Sequence, residues 1–142
     1  MKTPENTFNQ QLDTFLSWAK DNTPEDWAQI DKQLPAFCND ETFLTWARKN
    51  TTNSEPGLRD LAATIFEASD TTLTAEDIRN LTELMTTDDS YPGFRAACAL
   101  AKRSNNESIK PLTDKIKEKL KKFSTDDDVS EIAKSYLESI EG

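Results

Sequence analysis

The sequence predicts an all-α protein, arranged as a right-handed, solenoid-like stack of about four antiparallel helical hairpins with eight helices. First, the nine residues from Phe15 to Thr23 recur 28 positions later, from Phe43 to Thr51, with six identities. Self-similarity at a period of roughly 20 to 50 residues is typical of stacked structural repeats. Second, apolar residues recur at helical spacing and nowhere alternate over a sustained run, which favours helices over strands. Third, the chain has three glycines, fewer than tight turns between strands would need.

The first two helices are marked by apolar spacing and by a start signal between them. The first helix spans about Pro4 to Lys20. Thr23 then offers a capping hydroxyl, and Pro24 suits the first helical position because the N–H that it lacks would be unsatisfied there anyway. The inward-facing residues are Phe8, Leu12, Phe15, Leu16 and Ala19 in the first helix, and Trp27, Ile30 and Leu34 in the second.

The third and fourth helices are separated by a polar loop from Asn50 to Ser54. Either Asn39 or Asp40 caps the third helix, and Pro56 opens the fourth. Their apolar residues recur with the helical period. These residues are Phe43, Leu44, Trp46 and Ala47, followed by Leu58, Leu61, Ala62, Ile65 and Phe66.

The second half of the chain carries four more helices. Thr74 caps the fifth, Pro92 starts the sixth, the seventh spans about Glu107 to Phe123, and the eighth follows the acidic run 126–128. The sixth helix is small or apolar nearly all round, which predicts burial on several sides. The inward-facing residues are Ile78, Leu81, Leu84 and Met85; Phe94, Ala96, Ala97, Cys98, Ala99, Leu100 and Ala101; Ile109, Leu112, Ile116, Leu120 and Phe123; and Val129, Ile132, Ala133, Tyr136, Leu137 and Ile140.

A second repeat groups these helices into pairs. Residues 56–59 (Pro-Gly-Leu-Arg) match residues 92–95 (Pro-Gly-Phe-Arg), 36 positions further on, so two even-numbered helices start alike. The simplest arrangement pairs each odd-numbered helix with the next, giving four hairpins in a single α-helical repeat domain over residues 1–142. A closed helical bundle is the alternative arrangement.

In these segments the chain resembles the HEAT-repeat family, which pairs two antiparallel helices and often opens the second with an Asp or Pro turn and an apolar-Arg pair. Asp89 and Arg95 look like the Asp/Arg pair with which family members bridge neighbouring repeats. The match is incomplete, because Asn53 takes the slot before Arg59, and Ser130 takes the Arg slot of the fourth hairpin. The resemblance implies binding of a protein partner along one face, without catalysis.

Composition argues against several classes of function. The chain has no histidine, which excludes His-based triads and removes the commonest ligand of catalytic zinc. It also contains no GxSxG, P-loop or GxGxxG segment, so we expect no enzyme activity and no cofactor. A net charge of -9 disfavours nucleic acids and anionic membranes as partners. The two cysteines lack CxxC spacing, which predicts buried thiols in a reducing compartment. The sequence shows no apolar signal core and no membrane span, so we expect a cytoplasmic protein.

Acidic residues recur in the turns between paired helices. The largest groups are Asp88 with Asp89, and Asp126, Asp127 and Asp128. Such residues cap helix starts and interact favourably with the helix dipole, or they form a docking edge for a basic partner. A calcium site is a weaker alternative, because no DxDxDG loop with a distal Glu is present.

The seventh helix carries the one basic segment. Residues 110–123 contain six lysines against Asp114 and Glu118, a net +4, which leaves -13 elsewhere. The lysines, including Lys119, Lys121 and Lys122, flank an apolar stripe that their stems can cover while their charges stay in water. A site for an anion or an acidic peptide is the functional alternative, and membrane contact is disfavoured by the charge elsewhere.

The three tryptophans, Trp18, Trp27 and Trp46, lie in the first third of the chain. Trp18 and Trp46 occupy equivalent positions of the nine-residue repeat, which predicts core positions, with Trp46 filling the seam between adjacent hairpins. An aromatic groove for a peptide is the alternative.

Taken together, these patterns predict a non-catalytic protein–protein interaction module, a small HEAT-like scaffold or adaptor, that binds a protein partner, for which a basic protein is one candidate. The alternative is an acidic inhibitor or immunity-type protein that blocks a basic enzyme such as a nuclease by presenting negative charge where phosphates would sit. Candidate partner-binding residues are Asp88, Asp89, Asp126, Asp127, Asp128, Lys119, Lys121 and Lys122. The oligomeric state is left open.

Overall fold

A computed structural model describes the backbone of residues 4–141 and the side chains of residues 10–140, so the predicted inward position of Phe8 lies outside the described side chains. Within residues 4–141 the chain forms eight α-helices and no strand, which confirms the all-α class and the number of helices. Short 3-10 turns occur at Leu34–Ala36 and Lys110–Leu112. The helices are α1 (Pro4–Asp21), α2 (Pro24–Gln33), α3 (Glu41–Asn50), α4 (Pro56–Ala68), α5 (Ala75–Thr87), α6 (Tyr91–Ala101), α7 (Thr113–Phe123) and α8 (Ser130–Glu141).

The predicted caps explain where three helices begin. The Thr23 hydroxyl accepts a hydrogen bond from the Asp26 amide at 3.1 Å, and Thr74 forms a reciprocal capping box with Asp77. Asp40 caps α3, because its carboxylate accepts from the Thr42 amide at 2.8 Å. The side chain of Asn39, the other candidate, instead accepts from the Asp70 amide, beyond the end of α4.

The predicted start of the seventh helix at Glu107 is wrong. Residues 110–112 form a 3-10 turn and α7 begins at Thr113. The physical reason is Pro111, which has no N–H to donate, so an α-helix running through this position would lack one of its backbone hydrogen bonds. The shorter helix keeps its apolar stripe, since Ile116 and Leu120 are fully buried.

Residues up to Thr72 form one compact unit, in which α1 packs against α2, α3 and α4, and α3 packs against α4. The two copies of the nine-residue repeat meet here through their phenylalanines. The rings of Phe15 and Phe43 lie edge to face, with centroids 5.4 Å apart, and Phe37 stacks on Phe43 at 5.5 Å. Such pairs contribute beyond the area that they bury.

Gly57 allows α4 to approach α1 closely. A Cβ atom at this position would collide with the backbone carbonyl of Ala19 in α1. Ala19 is fully buried, as is Ala47 at the equivalent position of the second copy of the repeat. The small residues therefore allow the backbones of the first unit to come close together.

Residues from Leu73 onward form the second unit, in which α6 packs against α5, α7 and α8. The predicted burial of the sixth helix on several sides is confirmed, because every residue from Pro92 to Ala101 except Arg95 is buried. Each predicted pair of consecutive helices is in contact: α1 with α2, α3 with α4, α5 with α6, and α7 with α8. The solenoid-like stack, the single domain and the HEAT resemblance stay predictions.

The expectation that Trp46 fills the core is not met. Trp46, like Trp18 and Trp27, is partly exposed rather than fully buried. On α3 the buried face is formed by Phe43, Leu44 and Ala47. Successive residues turn by about 100° around a helix, so Trp46 lies roughly a quarter-turn away from that face, at its border. A border position suits an indole, which combines an apolar body with a polar N–H.

We therefore expect Phe43→Ala to destabilise the protein more than Trp46→Ala does. Phe43 is fully buried and contacts two other aromatic rings, so its removal should cost about 3–5 kcal/mol of unfolding free energy. Urea unfolding of both variants measures the difference. An equal or larger loss for Trp46→Ala would contradict this account of α3.

Candidate functional site

The two largest acidic groups predicted from the sequence both lie in the second unit, and Tyr91, two residues after Asp89 in the chain, contacts the second group. Its hydroxyl lies 3.2 Å from both carboxylate oxygens of Asp126 and 3.4 Å from Oδ2 of Asp128. One hydroxyl hydrogen can serve one of these oxygens at a time. Tyr91 is the first residue of α6, whereas the aspartates lie between α7 and α8. We call Tyr91, Asp89, Asp126, Asp127 and Asp128 the Tyr91 surface.

Two of the predicted aspartates organise the backbone of their own turns. Oδ1 of Asp88 accepts from the Ser90 amide at 2.8 Å, from the Ser90 hydroxyl at 2.7 Å and from the Gly93 amide at 3.3 Å. Oδ1 of Asp126 accepts from the Asp128 amide at 2.8 Å and from the Val129 amide at 3.2 Å. The capping interpretation therefore applies to Asp88, which binds an amide in the first turn of α6, whereas Asp126 binds amides of the turn that precedes α8. Both are partly buried.

The remaining three aspartates are more accessible to solvent than Asp88 and Asp126. Asp89, Asp127 and Asp128 are all exposed. Their positions beside the two turn-forming aspartates follow from the chain itself, since each is within two residues of Asp88 or Asp126. The outward charge of the Tyr91 surface thus comes mainly from residues that the capping role does not explain.

The aromatic ring of Tyr91 adds an apolar component to this charged surface. Tyr91 is 38% exposed, more than any other large hydrophobic side chain among the described residues. Its ring lies against Phe123, with centroids 5.9 Å apart, and Phe123 in turn packs on Phe94 at 4.8 Å. The ring therefore packs on Phe123, and its hydroxyl end lies beside the carboxylates of Asp126 and Asp128. Cationic side chains bind favourably to aromatic rings in such surroundings.

Burial raises the pKa of Tyr91 to about 12, with further contributions from the hydrogen bond and negative charge of Asp126 and from Asp128. The phenol therefore stays protonated at neutral pH and donates a hydrogen bond to the carboxylates. The pKa of Tyr91 is higher in the folded state than its ordinary value of 10.0. The contribution of this group to the stability of the fold is therefore fully present below pH 10. The stabilisation is lost as the pH rises from 10 toward 12.

The three candidate lysines differ in their surroundings. Lys121 and Lys122 are exposed, as expected for side chains that keep their charge in water. Lys119 is only 6% exposed, and its Nζ atom donates to the backbone carbonyl of Asp88 at 2.7 Å. The snorkelling expectation is therefore wrong for Lys119. Burial lowers the pKa of Lys119, as does Lys122, while Asp89, Asp88 and Glu118 act in the opposite direction.

The proposed bridge between Asp89 and Arg95 stays a prediction. Asp89 lies exposed in the turn before α6, and Arg95 is partly buried on that helix. In the first unit, the corresponding Arg59 donates to the backbone carbonyls of Asn53 at 2.8 Å and Ser54 at 3.2 Å. That arginine therefore ties down the turn that precedes its own helix.

Sequence reasoning missed Tyr91 and the burial of Lys119. Tyr91 carries no periodic signal, and its acidic partners lie 35 and 37 residues away in the chain. A cue for Lys119 was available, because it directly precedes Leu120 and lies three residues after Ile116, both of which are fully buried. Both cysteines are buried free thiols, as predicted.

Comparison with known proteins gives no assignment: no protein-family model, curated protein or solved structure matches the chain significantly. Among the described residues, no group of three or more His, Cys, Asp or Glu side chains is placed to hold a metal ion. In the same part of the chain, every helix is too short or too polar to span a bilayer.

We expect Asp126→Asn to lower the pKa of Tyr91 below about 12, because it removes the negative charge closest to the phenol. Near-ultraviolet absorbance detects tyrosinate as the pH is raised. The chain contains two tyrosines, so the step that disappears in Tyr91→Phe identifies the titration of Tyr91. An unchanged titration in Asp126→Asn would show that the carboxylate does not contact the hydroxyl in solution.

Proposed function

We propose that the chain is a non-catalytic protein–protein interaction module, and that the Tyr91 surface binds a basic segment of its partner. The observation that carries this proposal is the environment of Tyr91. A partly exposed aromatic ring, held against Phe123, lies beside the carboxylates of Asp126 and Asp128. Tyrosine is among the residues that contribute most to binding at protein interfaces.

Charge supports a basic partner. A guanidinium or ammonium group seated on the ring of Tyr91 would lie close to Asp126 and Asp128, so that the ring and the carboxylates attract it together. The net charge of -9 adds long-range attraction for a basic protein. Complementary charge of this kind increases the rate of association and discriminates against acidic partners.

The alternative function is that of an acidic inhibitor or immunity-type protein that occupies the phosphate-binding cleft of a basic enzyme. The exposed carboxylates of Asp89, Asp127 and Asp128 favour it, because they group negative charge on the surface of one unit. The two functions differ in their dependence on salt. A charge mimic should lose affinity steeply as salt increases, whereas binding anchored on an aromatic ring should retain more of it.

The test uses nona-arginine as a defined basic probe, titrated into isotopically labelled protein and followed by nuclear magnetic resonance. We expect shift changes at Tyr91 and in residues 126–129, and weaker binding by Tyr91→Ala and by the double variant Asp127→Asn with Asp128→Asn. The matched control is Asp13→Asn with Asp21→Asn, which removes two exposed aspartates from the first unit.

The two double variants have the same net charge, so the comparison separates a local surface from general attraction. Equal weakening by both, with shift changes spread over the whole protein, would contradict the proposal. If Tyr91→Ala binds nona-arginine as tightly as the wild type, the ring of Tyr91 does not contribute to binding, and that part of the proposal is wrong.

We expect no binding to duplex DNA or RNA at about 0.15 M salt. The net charge repels phosphate, and Lys119, one of the lysines of the basic helix, is buried. A gel-shift assay with mixed nucleic acids measures this. Clear retardation that disappears in Lys121→Glu with Lys122→Glu would instead make α7 the binding element.

A further inference from the structure

Lys119 is a buried charge whose hydrogen-bond acceptor is a backbone carbonyl. Lysine is almost never fully buried unless it is paired, because removing an ammonium group from water is costly. Lys119 is 6% exposed and lies in α7. Its ammonium group donates to the backbone carbonyl of Asp88, which is 31 residues earlier in the chain. The long-range contact indicates a specific role for this side chain.

The acceptor of this bond is fixed from two directions. The carbonyl of Asp88 lies directly against Gly93, where a Cβ atom would collide with it. The carboxylate of Asp88 binds the Ser90 amide and hydroxyl and the Gly93 amide. The backbone of Asp88 is therefore tied to the first turn of α6, and Lys119 connects that turn to α7.

Local charge explains why an ammonium group suits this place. Asp88 and Asp89 lie in the same turn, and their carboxylates repel each other when both are ionised. Lys119 attracts both, and Glu118 adds a third negative charge nearby, whereas Lys122 opposes it. The positive charge of Lys119, which interacts with all three acids, thus offsets the repulsion among them.

We propose that Lys119 is a positioning residue, whose ammonium group holds the Asp88–Tyr91 turn against α7 so that Tyr91 reaches Asp126. Two sets of hydrogen bonds then hold the start of α6 in place. Lys119 in α7 donates to the carbonyl of Asp88, and Tyr91 contacts Asp126 and Asp128 between α7 and α8. The proposal concerns the folded protein alone and does not depend on the proposed partner.

The experiment compares Lys119→Met, which keeps the length and apolar character of the stem, with Lys121→Met, which removes an exposed lysine from the same helix. In Lys119→Met we expect amide hydrogen exchange at Ser90 and Gly93 to accelerate by on the order of tenfold, the effect of losing one hydrogen bond. Amides in the middle of α6 and α8 should change less. Lys121→Met should exchange like the wild type.

The pKa of Tyr91 provides the second readout. Removing a positive charge would by itself raise the pKa of a nearby phenol. If the turn loosens and Tyr91 loses its contacts with Asp126, the pKa falls below about 12 instead. The proposal is supported if the pKa of Tyr91 falls in Lys119→Met and stays at the wild-type value in both Lys121→Met and Lys119→Arg.

An unchanged or raised pKa of Tyr91 would overturn it, and so would uniform acceleration of exchange across the second unit. If Lys119→Met does not fold, Lys119→Gln, which keeps an N–H donor without the charge, is measured in the same way and judged by the same outcomes.

Discussion

The burial of α6 against three other helices is the constraint on which the second unit depends. Four alanines between Ala96 and Ala101 are buried there, and small side chains allow α5, α7 and α8 to come close. The turn at the start of α6 contacts α7 through Lys119, and polar groups that are even partly removed from water need hydrogen-bond partners. The carboxylate of Asp88 and the ammonium group of Lys119 supply those bonds. The position of Tyr91, at the first residue of α6, follows from the same packing.

Much of the fold could be read from the sequence because the signals are local. The caps at Thr23 and Thr74 act within three residues of themselves, and the small residues of α6 indicate their own burial. Apolar spacing alone places the start of α7 too early, because the spacing continues across Pro111. Trp46 was misplaced because a repeated aromatic residue fits either the centre or the border of a buried face.

The acidic residues of the Tyr91 surface could be predicted from the sequence, but its contacts between residues that are distant in the chain could not. The acidic turns could be identified from composition, but nothing in the sequence says that Tyr91 contacts Asp126 or that Lys119 contacts the carbonyl of Asp88, since these pairs are 35 and 31 residues apart. Such contacts depend on how α6, α7 and α8 pack. Helical periodicity shows which face of a helix is buried, and leaves open which residue of another helix it meets.

The structural and the functional interpretation of the aspartates support each other. Asp126 binds the amides of Asp128 and Val129, so its carboxylate is already fixed before any partner arrives. The ring of Tyr91 is fixed in the same way by Phe123. Ordering side chains at an interface costs free energy, and groups that are ordered beforehand avoid most of that cost. Under the proposed function, the bonds that order these turns would therefore also prepare the surface for a cationic side chain, and the fixed groups would add to the attraction of the net charge.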